Sequence, residues 1–174
     1  PLRRLADRPP AALCPPSRSA MHLAISLSRQ RLELIGGPHP FSAPISSGAA
    51  GIGSEENSGK TPVGHFRIHS KHGENAPADT VFRGRLPQCR TSPQSADSPP
   101  PEDSDAILAR ILTLDGQEPG NANTLARYIY IHGTAHTRLL GRPASHGCIR
   151  MAPDAIIELY PLLPIGTDVF ISQD

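Results

Sequence analysis

Between residues 22 and 27 every second position is apolar: Leu23, Ile25 and Leu27 fall on one face. After Ser28, Arg29 and Gln30 the alternation resumes with Leu32 and Leu34. A period of two marks a half-buried strand, so this stretch predicts a β-hairpin. Gly36, Gly37 and Pro38 end it. Residues 41–47 predict a third strand of edge type, because Pro44 cannot donate to a ladder. Phe66 and Ile68 share a face of a further strand over 65–69, and residues 81–85 predict a short one. The aromatic and β-branched run 127–131 predicts a buried strand. His132 then stands at that strand's end, where Gly133 lets the chain turn away. Residues 168–171 predict the last strand. Residues 106–114 are almost continuously apolar, and periodicity alone fits a buried strand or a helix equally. Residues 153–160 are the helix candidate: Pro153 suits the first helical position, Asp154 the positive end of the dipole, and Pro161 and Pro164 stop it.

Composition fits this picture. The 20 prolines and 15 glycines suit short strands joined by many turns and argue against a helical bundle. With 4% aromatic residues and no Trp, the core must be built mostly from Ile, Leu, Val and Ala. At 174 residues the chain is long enough for one domain with a real core. A net charge of +1, with basic residues scattered apart from Arg3 and Arg4, gives no bulk electrostatic case for nucleic acid. No run approaches the roughly 20 apolar residues of a membrane span. Residues 1–20 are basic and proline-rich, without the apolar region of a secretory signal. They are expected to be a disordered extension, with the folded domain over 21–174. Residues 87–105, with five prolines and four serines, read as a long loop, either functional or disordered.

The chemistry gathers in two short stretches, Tyr130-Ile131-His132-Gly133-Thr134 and Ser145-His146-Gly147-Cys148-Ile149-Arg150-Met151. A thiol among small and polar residues, with a histidine upstream, is the pattern of a cysteine nucleophile and its base. The thiolate is the reactive form, and an imidazole removes the proton and stabilises the charge left behind. Gly147 lets backbone approach a substrate carbonyl, and the amides of Gly147 and Cys148 are candidates for an oxyanion site. Buried structural thiols are common, but Ser145, His146 and Arg150 are not core residue types. Taken alone, His132 equally suits a structural role. A second constellation competes: His132, His136, His146 and Cys148 carry nitrogen and sulfur donors of the kind zinc takes. The spacing of His132 and His136 faces one way only on a helix, and this segment reads as loop. Cys14 and Cys89 lie in proline-rich stretches and read as incidental thiols, or as a disulfide in an exported protein.

These stretches resemble the active-site signature of the L,D-transpeptidase catalytic domain family (YkuD-type). The resemblance extends to Thr61-Pro62-Val63-Gly64-His65-Phe66-Arg67-Ile68, to residues 25–34 and to residues 165–171, in the family's order. It implies a mostly-β, sandwich-like domain with one or two short helices, and it favours a strand for residues 106–114. It also implies an acyltransferase that needs no cofactor and no metal. Cys148 matches the nucleophile and His132 the base, with a backbone carbonyl as the expected orienter of its ring. His146 is a lesser catalytic candidate that contacts substrate or tunes the thiol. Gly147, Ser145 and Gly133 are candidates around the oxyanion and substrate. Arg150 suits either a stem-peptide carboxylate or a surface salt bridge. Thr61 to Gly64 reads as a structural turn near the site.

The implied partner is a peptidoglycan stem peptide, and the implied location is periplasmic or cell-wall-associated. The missing signal leaves a cytoplasmic location open, and oligomeric state is not legible. Two competitors share the fold. An L,D-carboxypeptidase would pass the acyl group to water, and a murein-binding module would hold the peptide without chemistry.

Overall fold

A computed structural model describes residues 21–88 and 106–174. The strands are β1 (His22–Ser26), β2 (Arg31–Ile35), β3 (Phe41–Pro44), β4 (Gly64–His72), β5 (Val81–Arg83), β6 (Leu86–Pro87), β7 (Ile107–Gly116), β8 (Tyr130–Thr134), β9 (Ile149–Met151) and β10 (Asp168–Ser172). The helix α1 spans Pro153–Leu159, with Pro153 in its first turn and Asp154 near its positive end, and runs into a short 3-10 turn over Tyr160–Leu162. The expected long loop (87–105), the expected N-terminal extension (1–20), and with them Cys14 and Cys89, lie outside the described residues, apart from Pro87 and Gln88.

All ten strands belong to one hydrogen-bonded sheet, ordered β3-β2-β1-β10-β4-β7 and continued by β8 and β9 on the far edge of β7. The hairpin β5–β6 is added beside the start of β7. The path then meets its own beginning. Just after β3, Ser46 pairs with Arg150 of β9 through two backbone hydrogen bonds of 2.9 Å. The sheet therefore folds round and closes on itself, as the sandwich-like expectation requires. One core fills the inside: Leu23, Ile25, Phe66, Leu112, Leu114, Ile131, Ile149, Met151 and Ile171 are 2% exposed or less, and Ile156 and Leu159 of α1 join them. A smaller cluster lies apart from it, built on Phe82, Ile111 and Tyr130 with Cys148 packed against it.

Residues 106–114 are strand, within β7. Three sequence expectations are corrected. Strand β8 begins at Tyr130, not at residue 127: residues 121–128 form turns, and Tyr128 takes a left-handed φ of 57°. Consequently His132 is the middle residue of β8, and Gly133 continues the strand instead of turning the chain. Gly133 is needed for closeness: a Cβ there would lie 2.6 Å from the Leu108 carbonyl oxygen, where β7 bulges between Leu108 and Ile111. The short strand expected over 81–85 is a hairpin instead, with Gly84 and Arg85 as its turn.

Candidate active site

Strands β8 and β9 run parallel, with Ile131 opposite Ile149 and His132 opposite Arg150. Period-two alternation sends Ile131 and Ile149 into the core and turns Tyr130, His132 and Arg150 to the other face. Cys148 immediately precedes β9 and is held against the backbone of the neighbouring strand. The Tyr130 N–H donates to Sγ at 3.4 Å, and the thiol lies 3.4 Å from the Tyr128 carbonyl as its acceptor. His132 and Cys148 thus stand on one face of adjacent strands, two residues apart along the pair. The thiol is partly exposed, while His132 is 1% exposed. The His132 ring is oriented by a backbone carbonyl: Nδ1 lies 2.9 Å from the Gly133 oxygen. A carbonyl can only accept, so this bond puts the proton on Nδ1 and makes Nε2 the basic nitrogen.

The loop carrying Cys148 is fastened from its other side. Thr61, fully buried, donates from Oγ1 to the Gly147 carbonyl at 2.9 Å and accepts from the Gly48 N–H at 2.8 Å. The Ser145 N–H donates to the Ser47 carbonyl, and the Ala49 N–H to the Ser145 carbonyl. Gln30 ties Ser47 in turn, accepting from its N–H and donating to its Oγ. The turn at residues 61–64 therefore acts as a structural clamp on the loop that carries Cys148. Gly147 is required where it stands: its φ is 114°, and a Cβ would lie 3.0 Å from the Lys60 carbonyl oxygen and 3.1 Å from Ile129.

Ser145 is buried and closes the loop on itself. Its hydroxyl donates to the Cys148 carbonyl at 2.6 Å and accepts from the Gly147 N–H at 3.1 Å. The Gly147 amide is thus engaged within the loop, a constraint the sequence did not reveal. Arg150 is 2% exposed, so it is buried and not the surface residue that one sequence reading made it; a guanidinium nitrogen lies 3.5 Å from Ser46 Oγ. His146 is exposed and lines a groove of about 460 Å³ with Glu56, Asn57, Arg127, Tyr128 and Ile129. Arg127 holds that groove's far wall by donating to the Lys60 and Gly53 carbonyls. His136 caps a 3-10 turn at Thr137–Leu139 in the intervening loop. Among the described residues, no three His, Cys, Asp or Glu side chains converge as a metal site requires, so the zinc constellation does not form there.

Burial pushes the Tyr130 phenol above its ordinary pKa; the Arg85 cation opposes the shift, and the Cys148 and Tyr128 groups reinforce it. The phenol therefore lies within electrostatic reach of both the thiol and Arg85. Sequence reasoning missed Arg85, Tyr130 and the Tyr128 carbonyl. The only local signal was Gly84, a turn residue inside an apparent strand.

The L,D-transpeptidase catalytic domain (YkuD) model matches residues 20–171, and the chain belongs to that family. The Bacillus subtilis (strain 168) protein named "Putative L,D-transpeptidase YqjB" is 41% identical over 51 residues, which are 29% of this chain and 29% of that protein. A Fuscovulum blasticum protein named in similar terms is 51% identical over 39 residues, 22% of this chain and 21% of its own. The matched stretches thus span less than a third of either relative. Among solved structures, L,D-transpeptidase 3 from Mycobacterium tuberculosis, in complex with a faropenem-derived adduct, superposes with a TM-score of 0.54 at 19% identity. That match covers 88% of this chain and 60% of the other, and it shows a common fold. Among the described residues no helix is long and apolar enough to cross a membrane.

Proposed function

We propose that the protein is a cysteine-dependent L,D-transpeptidase that cross-links peptidoglycan stems. His132 Nε2 takes the Cys148 proton. The thiolate attacks the carbonyl of the amide after the diaminopimelate residue of a tetrapeptide stem. The C–N bond breaks, the imidazolium returns its proton to the departing amine, and D-alanine leaves. The thioester is then attacked by an amine of a neighbouring stem. His132 accepts that amine's proton, and the new amide releases the thiolate. The Cys148 amide holds the oxyanion in both steps, with the Gly147 amide beside it once it exchanges Ser145 Oγ for substrate. The groove at His146 gives a peptide a way to the thiol. An extracytoplasmic site of action follows from the substrate.

One observation carries this reading: the thiol and the imidazole share a face of β8 and β9, with Nδ1 committed to the Gly133 carbonyl. The test is incubation with disaccharide-tetrapeptide muropeptides. Cross-linked dimers and free D-alanine are expected, and both should vanish in Cys148→Ala. Trimmed monomers without dimers would show transfer to water, and no Cys148-dependent product at all would refute the enzyme reading.

A further inference from the structure

A second cavity, of about 380 Å³, is lined among others by Lys71, His72, Glu74, Phe82, Arg85 and Tyr160. Phe82 joins it to the thiol, because Phe82 packs with Ile111 and Tyr130 in the cluster that Cys148 touches. The other nearby cations are committed. Lys71 Nζ donates to the Tyr160 and Leu163 carbonyls at 2.7 Å and lies over the Tyr160 ring. Arg110 donates to the Ala76 and Ala109 carbonyls. His72 is kept from protonation first by burial and then by Arg85, and its Nε2 lies 3.0 Å from Ser70 Oγ. Glu74 lines the same cavity and acts electrostatically on Lys71 and Tyr160. Arg85 is different. It is half-buried and, among the described residues, makes no hydrogen bond or ion pair.

The backbone at Arg85 points the same way. Gly84 and Arg85 form the two-residue turn of the β5–β6 hairpin with φ values of 54° and 68°. Both central residues of such a turn need positive φ, a conformation that glycine takes freely and arginine does not. A glycine would serve the turn better. A strained backbone that presents a half-buried, unpaired guanidinium to a cavity whose Phe82 wall belongs to the cluster under Cys148 is the kind of outlier that signals a ligand.

We propose that Arg85 is a specificity-determining residue that binds the terminal carboxylate of the residue leaving the donor stem. This deepens the transpeptidase reading and rests on it. In that donor the carboxylate stands two bonds beyond the scissile nitrogen, so it is the anion closest to the carbonyl that Sγ attacks. The guanidinium fork matches a carboxylate, and the Phe82 and Tyr130 rings shield the pair from water. The Tyr130 phenol lies within electrostatic reach of both Arg85 and Cys148, and Phe82 links the Arg85 cavity to the cluster that Cys148 packs against.

The test compares a tetrapeptide donor with its C-terminal amide, in wild-type protein and in Arg85→Gly and Arg85→Lys. Wild type should prefer the free acid by about tenfold to a hundredfold in kcat/KM, the range of a charge-assisted pair. Arg85→Gly should lose that preference through KM and keep its turnover of the amide. Because glycine relieves the turn, its Tm should rise, which separates lost recognition from lost folding. Arg85→Lys should recover part of the preference. Equal losses on both donors in Arg85→Gly, or a wild type indifferent to the amide, would overturn the assignment while leaving the transpeptidase reading intact. Failure of wild type on both donors would instead sink the reading on which it stands.

Discussion

The two faces of the β8–β9 pair differ in everything except their backbone. Inward, Ile129, Ile131, Ile149 and Met151 are at most 3% exposed and belong to one large apolar cluster. Outward, one residue along in each case, stand Tyr130, His132, Cys148 and Arg150, with a partly exposed thiol and a buried imidazole. The inner face is held by area removed from water, a non-directional force that tolerates similar shapes. The outer face is held by directed bonds, such as Nδ1 to the Gly133 oxygen and the Tyr130 N–H to Sγ, each with one suitable partner. A strand's alternation thus lets one short segment serve stability and chemistry separately, because neither face uses the other's side chains.

Substitutions should therefore sort by face. Cys148→Ala should abolish muropeptide turnover, by about 10⁶-fold where a covalent nucleophile is deleted, with a thermal melt close to wild type. His132→Gln should lower kcat by about 10² to 10⁴-fold, again with little change in Tm. An equally large fall in Tm for either variant would break the separation. On the inner face the balance reverses: Ile131→Ala should destabilise by about 2–5 kcal/mol in denaturant unfolding, with activity per folded molecule kept. Thr61→Val tests the seam between the two. It removes two buried bonds to Gly147 and Gly48 and should cost about 1–3 kcal/mol and also slow turnover, because the nucleophile loop loses its clamp.

The smallest effect belongs far from both faces. Bonds from His65, foremost, and from Arg67 hold the Asp168 carboxyl below its ordinary pKa. A depressed pKa adds stability above the usual aspartate range, and that stability is lost as pH falls through the lowered value. Asp168→Asn should thus cost less than about 1 kcal/mol at neutral pH, with the difference from wild type fading in acid and activity untouched.

Much of this was legible in one dimension. Strands β1, β2, β4 and β10 follow from alternation, because each buries one face against the same core. Helix α1 follows from Pro153, Asp154 and the prolines after it. Cys148 and His132 were legible as candidates, because a nucleophile and its base require particular residue types, and the structure brings them to adjacent strands. The beginning of β8 was not. Arg127 and Tyr128 have strand-like neighbours, yet the Arg127 guanidinium bonds to the Lys60 and Gly53 carbonyls, residues far away in sequence, and the chain turns there. The burial of Arg150 was not legible for the same reason: its guanidinium lies 3.5 Å from Ser46 Oγ, 104 positions upstream. Local pattern reports which side of a strand faces the core, whereas it carries no record of which distant segment covers the other side.

The pairing of Ser46 with Arg150 carries a consequence for how the protein comes into being. Joining segments so distant along the polymer costs more chain entropy than the nearby hairpins do, so that seam is expected to zip last during folding. Because the segment around Ser46 also braces the bend that presents the sulfur, a half-made molecule carries its thiol unarmed. Alkylation of Cys148 followed through refolding would then lag behind the appearance of strand signal, timing the moment at which the barrel-like ring shuts.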